Sequence, residues 1–481
     1  MNASTLMWFR QDLRLRDNPA LHYACENGAI IPIYIFDTDC PEQFIPGDAS
    51  KWWLHQSLSA LNLSLDNQLH FAKGEAIRII MALVQAHNIK TVVWNRGYEP
   101  WQIKRDTQLK QLLSAAGVEV KSFNSHLLWE PWQVLKKDET PYKVFTPYYR
   151  RGCLSKPSPR MPVAIPKDIQ IEYNPQCDNG LDSLALMPRI NWFHTMDKMW
   201  TPGEEGAAKH LSDFLPDGAK AYKNKRDFPD LGATSKLSPH LHFGEISPNQ
   251  IWYAAIHALD GNTEDAGLDC YLSELGWREF SHYLLFHFPH IPQKNFSPKF
   301  EHFPWRSDPD SLIAWQQGQT GIPIVDAGMR ELWQTGTMHN RVRMVVGSFL
   351  VKNLLIDWRQ GERWFWDCLL DADLAANSAS WQWIAGTGAD ASPYFRIFNP
   401  VTQGQRFDPQ GEYVKRFCPE LSKMPDKYIH NPWDAPQNIL DYAGIKLGSN
   451  YPAPLVDLKA SRQRALDALA QSKQQPDEEP S

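Results

Sequence analysis

Five short apolar runs alternate with helical patterns in the first 130 residues, and this alternation restricts the fold more than any other feature. The runs are Thr5–Phe9, Ala29–Phe36, Gln68–Ala72, Thr91–Asn95 and Val118–Phe123. Between them, apolar residues recur with helical period over Ser50–Leu63, Glu75–Ala86 and Gln102–Ala116, the last closed by Gly117 as a C-cap. Strands joined through helices pair in parallel, because a parallel connection must cross back over the sheet. The expectation is a Rossmann-like parallel α/β domain over residues 1–130. No GxGxxG follows the first run, so the standard dinucleotide fingerprint is excluded.

Prolines crowd the next stretch, at Pro131, Pro141, Pro147, Pro157, Pro159, Pro162 and Pro166. They predict a long inter-domain linker over 131–203, running across the surface. From 204 to 471 the periodicity is helical throughout, with patterns over Gly206–Phe214, Pro248–Leu259, Asp269–Phe288, Ser311–Gln317, Ile324–Thr335, Asn340–Trp358 and Gly361–Leu369. Residues 472–481 are polar and acidic, and predict a disordered tail. The fold class is therefore α/β followed by an all-α domain.

Net charge is −6, so any nucleic-acid site must be a local basic patch on an acidic body. Seven scattered cysteines without a CxxC pair exclude a disulfide framework and fit a reducing cytoplasm. The N-terminus meets charge at once, and no run reaches the roughly 20 apolar residues of a membrane helix. The expectation is a soluble, cytoplasmic chain that does not enter membranes. Twenty tryptophans exceed what packing alone asks for, and point to ring binding or to chemistry on the rings.

Four segments carry candidate chemistry. Met338–Met344 (MHNRVRM) opens an otherwise apolar helix, so its polar groups either start a solvated helix or line a cavity. Asp371–Trp383 (DADLAANSASWQW) sets two acids beside tryptophans. Read alone they are as readily a helix cap as a site. Thr234–Pro239 (TSKLSP) offers hydroxyls and a lysine to a phosphate, although most such stretches only cap a helix. Glu274–Phe280 (ELGWREF) places Glu274 and Arg278 four apart, where they can pair or where Glu274 can face a cavity.

Taken together with MWFRQDLRLRDNPAL, YKVFTPYYRR, LLIDWRQGER and PYFRIFNPVTQGQRFDP, these segments resemble the cryptochrome/photolyase family, in the family's order and from Thr5 to about Leu421. Within the family the chain is most similar to class I, or closely allied, cyclobutane pyrimidine dimer photolyases. The resemblance implies an α/β antenna domain, a linker and a helical FAD- and DNA-binding domain. It implies light-driven dimer splitting by photoexcited reduced FAD, and damaged DNA as the partner of a monomer. By matching motifs, Tyr222, Thr234, Ser235, Lys236, Leu237 and Ser238 would hold the FAD phosphates, with Tyr271 close by. Arg343 and Asp371 would pair beside the flavin ring, Asp373 would accept from its polar edge, and Asn377 would face its N5. Trp381, Trp358 and Trp305 match the family's electron chain.

On the DNA side, a dimer stacked inside the duplex cannot reach a buried flavin, so it must be flipped out, as photolyases do. Trp277 and Trp383 would wall its pocket, and Glu274 would hydrogen-bond the thymine edges and stabilise the radical anion. Arg226, Arg278, Asn340, Arg341, Met344 and Gln403 would contact lesion or phosphate. Six-four photolyases carry histidines where Asn340 and Met344 stand, so no six-four repair is expected. At the antenna position Gln102, beside Trp101, replaces a folate-binding glutamate, which leaves a folate such as methenyltetrahydrofolate, a deazaflavin or no antenna open. The competing readings are a blue-light cryptochrome without repair activity, against which Asn377 and the short tail speak, and an unrelated α/β nucleotide-binding protein.

Overall fold

The structure is a computed structural model that describes residues 5–87, 89–173, 178–390 and 395–472. The tail over 473–481 and Cys177 lie outside the described residues. Five parallel strands, β1 (Thr5–Phe9), β2 (Ile30–Asp37), β3 (His70–Gly74), β4 (Thr91–Asn95) and β5 (Glu119–Phe123), form one sheet in the order β3-β2-β1-β4-β5. The central strand pairs Thr5 with Ile30 on one side and with Thr91 on the other. Helices α1 (Pro19–Glu26), α2 (Asp48–Ser64), α3 (Ala76–His87) and α4 (Pro100–Ala115) make the connections.

Alternate residues of β1 serve different cores. Met7 and Phe9 pack with Trp52, Trp53 and Leu58, whereas Leu6 and Trp8 pack with Ile80, Trp94 and Leu109. A strand buried on both faces reads as a continuous apolar run, which is why Thr5–Phe9 stands out in the sequence.

The 131–203 stretch is more than a surface strap. Gln170 and Glu172 bond the backbone of Ile30, and Leu184, Leu186, Phe193, Met196 and Trp200 enter the core around Trp53. Trp53 has an edge of Trp200 5.4 Å away. Prolines set the backbone of this segment, but its apolar residues, which carry no regular period, bury it.

Contacts divide the chain into two compact units. One comprises Met1–Lys223, Ser235–Pro289 and Leu370–Ala375, the other Asn224–Thr234, His290–Leu369 and Ala376–Ser481. In the first, Arg14 is 1% exposed and its guanidinium donates to the carbonyls of Asp17, Gly244 and Ser125. Gly244 sits at φ +68, and a Cβ there would lie 2.0 Å from the Gln11 carbonyl oxygen. Truncating Arg14→Ala leaves several buried carbonyls without donors, and is expected to cost about 3 kcal/mol, read as a lowered thermal midpoint.

In the second unit the single helix expected over Asn340–Trp358 is broken. An α-helix spans Asn340–Ser348, a π-helical turn follows at Phe349–Asn353, and a new helix starts at Trp358 and ends at Cys368. Leu355 adopts φ +55, and Asp357 caps the new helix by accepting from the Arg359 N–H. The apolar run VVGSFLVKNLLIDW hides this break, because Leu355 is buried whichever way the chain turns. The last helix, Leu458–Ser472, reaches the first residue assigned to the tail. No helix among the described residues is long and apolar enough to cross a membrane.

Candidate functional site

In the first unit, Tyr222 and Tyr271 meet edge to face at 5.2 Å, and Phe214 lies 4.8 Å from Tyr271. Burial pushes the Tyr271 hydroxyl up to about 12, against the opposing pull of its hydrogen bond with Ser235. Beyond Ser235 the chain turns through Lys236, exposed and at φ +55, while Leu237 is 2% exposed and anchors the loop. The Leu237 side chain serves the core, so its backbone is what a ligand would meet. Ser238 is exposed at the start of the next helix.

The helix Ala266–His287 carries Glu274 and Trp277 one turn apart, both partly exposed. Trp277 stacks on Phe145 at 3.8 Å with 11° between planes, so one ring face is taken and the other alone can receive a base. Arg278 departs from expectation. Its guanidinium donates to the His126 carbonyl at 2.7 Å, lies 2.8 Å from His126 Nε2 and is 3.5 Å from Glu279, with 15% of the side chain exposed. Its guanidinium is engaged internally, which leaves little of its charge for a phosphate. Its place next to the partly exposed Trp277 makes it look available in sequence, but here it turns inward to the His126 carbonyl.

Asp371 is buried, and Asp373 keeps 14% exposure with Oδ2 3.3 Å from His282 Nε2 and 3.7 Å from His242 Nδ1. Burial opposes ionisation of Asp373, yet His282 and His242 overcome it and hold the carboxyl well below the usual range. These histidines and His126 are site residues that sequence reasoning missed. The only signal was a histidine one turn after Arg278 in ELGWREFSH.

The second unit holds the remaining residues. His339 caps the Asn340–Ser348 helix by accepting from the Arg341 N–H, and burial lowers it to about 4, which keeps that acceptor lone pair free of a proton. Asn340 is exposed, and Met344 is half-buried one turn on. Arg341 pairs with Asp227 at 2.8 Å and lies over the Phe407 ring, so part of its charge is engaged internally. Arg226 is 4.0 Å from the same Asp227. Arg343 donates through Nε to the Met338 carbonyl, and Gln403 and Trp383 are half-buried.

Asn377 is 8% exposed and donates through Nδ2 to the Glu362 carbonyl at 3.0 Å, which fixes its amide orientation. Ser378 donates to the Glu362 carboxyl at 2.6 Å. Burial pushes that carboxyl up to about 7, with the Ser378 bond opposing. The folded state thus keeps a proton that the unfolded chain releases near 4.5, and stability falls as pH rises from there through 7. Glu362→Gln should therefore be more stable than the native chain at pH 8, by about 1–2 kcal/mol after solvent screening, and no more stable at pH 4.5. Thermal melts at the two pH values measure this.

Trp381 is 3% exposed, with Phe365 5.0 Å and Trp315 6.2 Å from its ring. Trp358 is fully buried and donates to Asn295 Oδ1 at 3.0 Å. Trp305 is half-buried beside Phe303, at 4.5 Å.

At the antenna position Trp101 donates to Glu99, and Gln102, 9% exposed, folds onto Gly97 so closely that a Cβ there would be 1.7 Å from its amide oxygen. Arg10, Asn95 and His126 line the cleft beside Gln102.

Comparison with known proteins accounts for this arrangement. The family described as DNA photolyase matches residues 5–166, and the FAD binding domain of DNA photolyase matches 271–471. The deoxyribodipyrimidine photo-lyase of Agrobacterium fabrum is 48% identical over 473 residues, covering 97% of this chain and 98% of that protein. The chain belongs to the DNA photolyase and cryptochrome family. The crystal structure of a bacterial class III photolyase from Agrobacterium tumefaciens superposes with a TM-score of 0.95 at 47% identity, covering 99% of this chain and 98% of that one. Cryptochrome-1 of Arabidopsis thaliana is 38% identical, over 97% of this chain and 70% of that protein. The solved structure that superposes so well is a class III photolyase, where the motifs suggested class I or a close ally.

The residues fit the FAD that this family's helical domain binds. Hydroxyls at Ser235 and Ser238 flank the Lys236 ammonium on a left-handed turn, a donor set suited to phosphates. Asp373 is a partly exposed anion able to accept from a ring N–H.

Proposed function

We propose that the chain is a light-driven photolyase of the class III kind, which splits cyclobutane pyrimidine dimers in DNA. The observation that carries this is likeness over nearly the whole chain to photolyases, at 48% identity and a TM-score of 0.95, against 38% for the plant cryptochrome. Bound and reduced, FAD supplies the light-excited electron that opens the cyclobutane ring and is afterwards returned.

The chain's own residues do the rest. Thr234, Ser235, Lys236 and Ser238 hold the phosphates, with Tyr222 and Tyr271 beside them. Arg343 and Asp371 would each serve the flavin ring, Asp373 would accept from its edge, and the neutral amide of Asn377 would add no negative charge near N5. The open face of Trp277 would stack on the flipped dimer, Trp383 would offer it a second ring, and Glu274 would hydrogen-bond the thymine edges, where negative charge develops. Asn340, Met344, Arg226, Arg341 and Gln403 form the rim toward DNA. Trp381, Trp358 and Trp305 pass an electron inward to restore the reduced cofactor. A monomer in the cytoplasm suffices for these steps. An antenna chromophore, a folate or a deazaflavin, would broaden light capture, with Trp101 and Gln102 the candidate residues for its seat.

Oligonucleotides carrying a thymine dimer, a six-four photoproduct or no lesion test the reading. In light, the first should be restored and the second left unchanged, because Asn340 and Met344 supply no proton-transferring histidine. Flavin photoreduction without dimer repair would make the chain a cryptochrome, and six-four reversal would overturn the assigned pocket chemistry.

A further inference from the structure

Three side chains that the catalytic reading leaves aside converge beside Asp373: His126 Nε2, His282 Nε2 and Asp373 Oδ2 all lie within 4.8 Å of one another. The hydrogen bonds around them determine where protons must be. His282 Nδ1 is 3.1 Å from the Arg278 carbonyl oxygen, which can only accept, so Nδ1 carries hydrogen. His282 Nε2 is 3.3 Å from Asp373 Oδ2 and 3.2 Å from His126 Nε2. The lone pair of His126 Nε2 already receives the Arg278 guanidinium at 2.8 Å, and a guanidinium never accepts. His126 therefore has no proton to offer His282. Burial first, then Arg278 and His282, keep His126 well below its ordinary value and so neutral.

Asp373 is an anion, so His282 Nε2 faces two acceptors and must donate as well. A metal ion could also join these three atoms, but the lone pair of His126 is occupied by Arg278, which favours a proton in that place. We infer that His282 is a positioning residue: as an imidazolium it clamps Asp373 through Oδ2 and so fixes the carboxylate that serves the flavin. This rests on the FAD reading above. The 3.7 Å from His242 Nδ1 to Oδ2 is too long for a hydrogen bond. The other ionisable groups facing the pair are Arg278 and Glu279 from the same helix and Glu99 from the loop after β4.

The test is FAD retention by the holoprotein, read as fluorescence of FAD released on dilution. His282→Gln, which cannot donate from two charged ring nitrogens, should hold FAD roughly tenfold less tightly than the native chain, and His282→Arg, a permanent cation, should restore most of that loss. A His282→Gln protein that holds FAD as the native one does, or a folded arginine variant no better than the glutamine one, overturns the inference. Should the arginine variant fail to fold, His282→Gln decides alone. If no form, the native one included, retains FAD, the FAD reading itself falls, a result distinct from the others.

Discussion

Trp381→Phe is expected to abolish photoreduction of oxidised flavin by an external donor while sparing dimer repair by protein whose flavin is reduced chemically beforehand. The split follows from the place of the ring. Trp381 is enclosed by Phe365, Trp315 and two glycines, and a Cβ on Gly361 would lie 2.1 Å from the indole. Gly361 belongs to the helix Trp358–Cys368, so the element that begins with Trp358 also closes on Trp381. A phenyl ring fills most of that space, and the fold should survive at a cost below that of truncation to alanine. What it lacks is the indole's ease of oxidation, which is the property an electron chain needs. Illumination with a thiol donor, followed at the flavin's visible band, measures the first half; dimer repair after dithionite reduction measures the second. Loss of both would mean that Trp381 shapes the flavin site itself, and loss of neither would remove it from the chain of electron carriers.

Trp277→Ala should weaken binding of dimer-containing DNA by about 5- to 150-fold, the size of one aromatic stacking contact at about 1–3 kcal/mol. Binding of undamaged DNA, which rests on phosphate contacts, should change far less. Phe145 already covers one face of the indole, so the loss falls on a ring held rigidly in place and not on a mobile side chain. Competition binding with damaged and undamaged duplexes at one salt concentration reads both. Equal losses would place Trp277 outside the lesion pocket and make it a packing residue for Phe145.

What the sequence disclosed and what it hid follow a physical pattern. The inner strands β1, β2 and β4 were legible because a parallel strand buried on both faces is apolar throughout, whereas the edge strand β5, EVKSF, was read from its place after a helix; the helices were legible because amphipathic period is local. The break at Leu355 was hidden because a buried leucine satisfies the apolar pattern in either conformation, and only the Asp357 cap signals a new start. The motifs led to Asn377, Trp381 and Glu274, but not to what holds them. The Glu362 carbonyl that orients Asn377 is fifteen residues away, and the Arg278 partner His126 lies 152 residues upstream. Pairings of that kind depend on tertiary approach, and no periodicity records them. The same limit applied to Gln102, whose collapse onto Gly97 depends on the loop after β4 and not on residue type.

Electron transfer from a reduced flavin in the helical domain to an extruded dimer is the step on which every assigned role depends. Flash excitation of the protein with bound dimer oligonucleotide, followed at 260 nm where restored thymines regain absorbance, tests it directly. Absorbance should rise with each flash when the flavin is fully reduced and stay level in the dark or with oxidised flavin. A level trace with reduced flavin and bound dimer, or a rise that does not depend on the flavin's reduction, would contradict it.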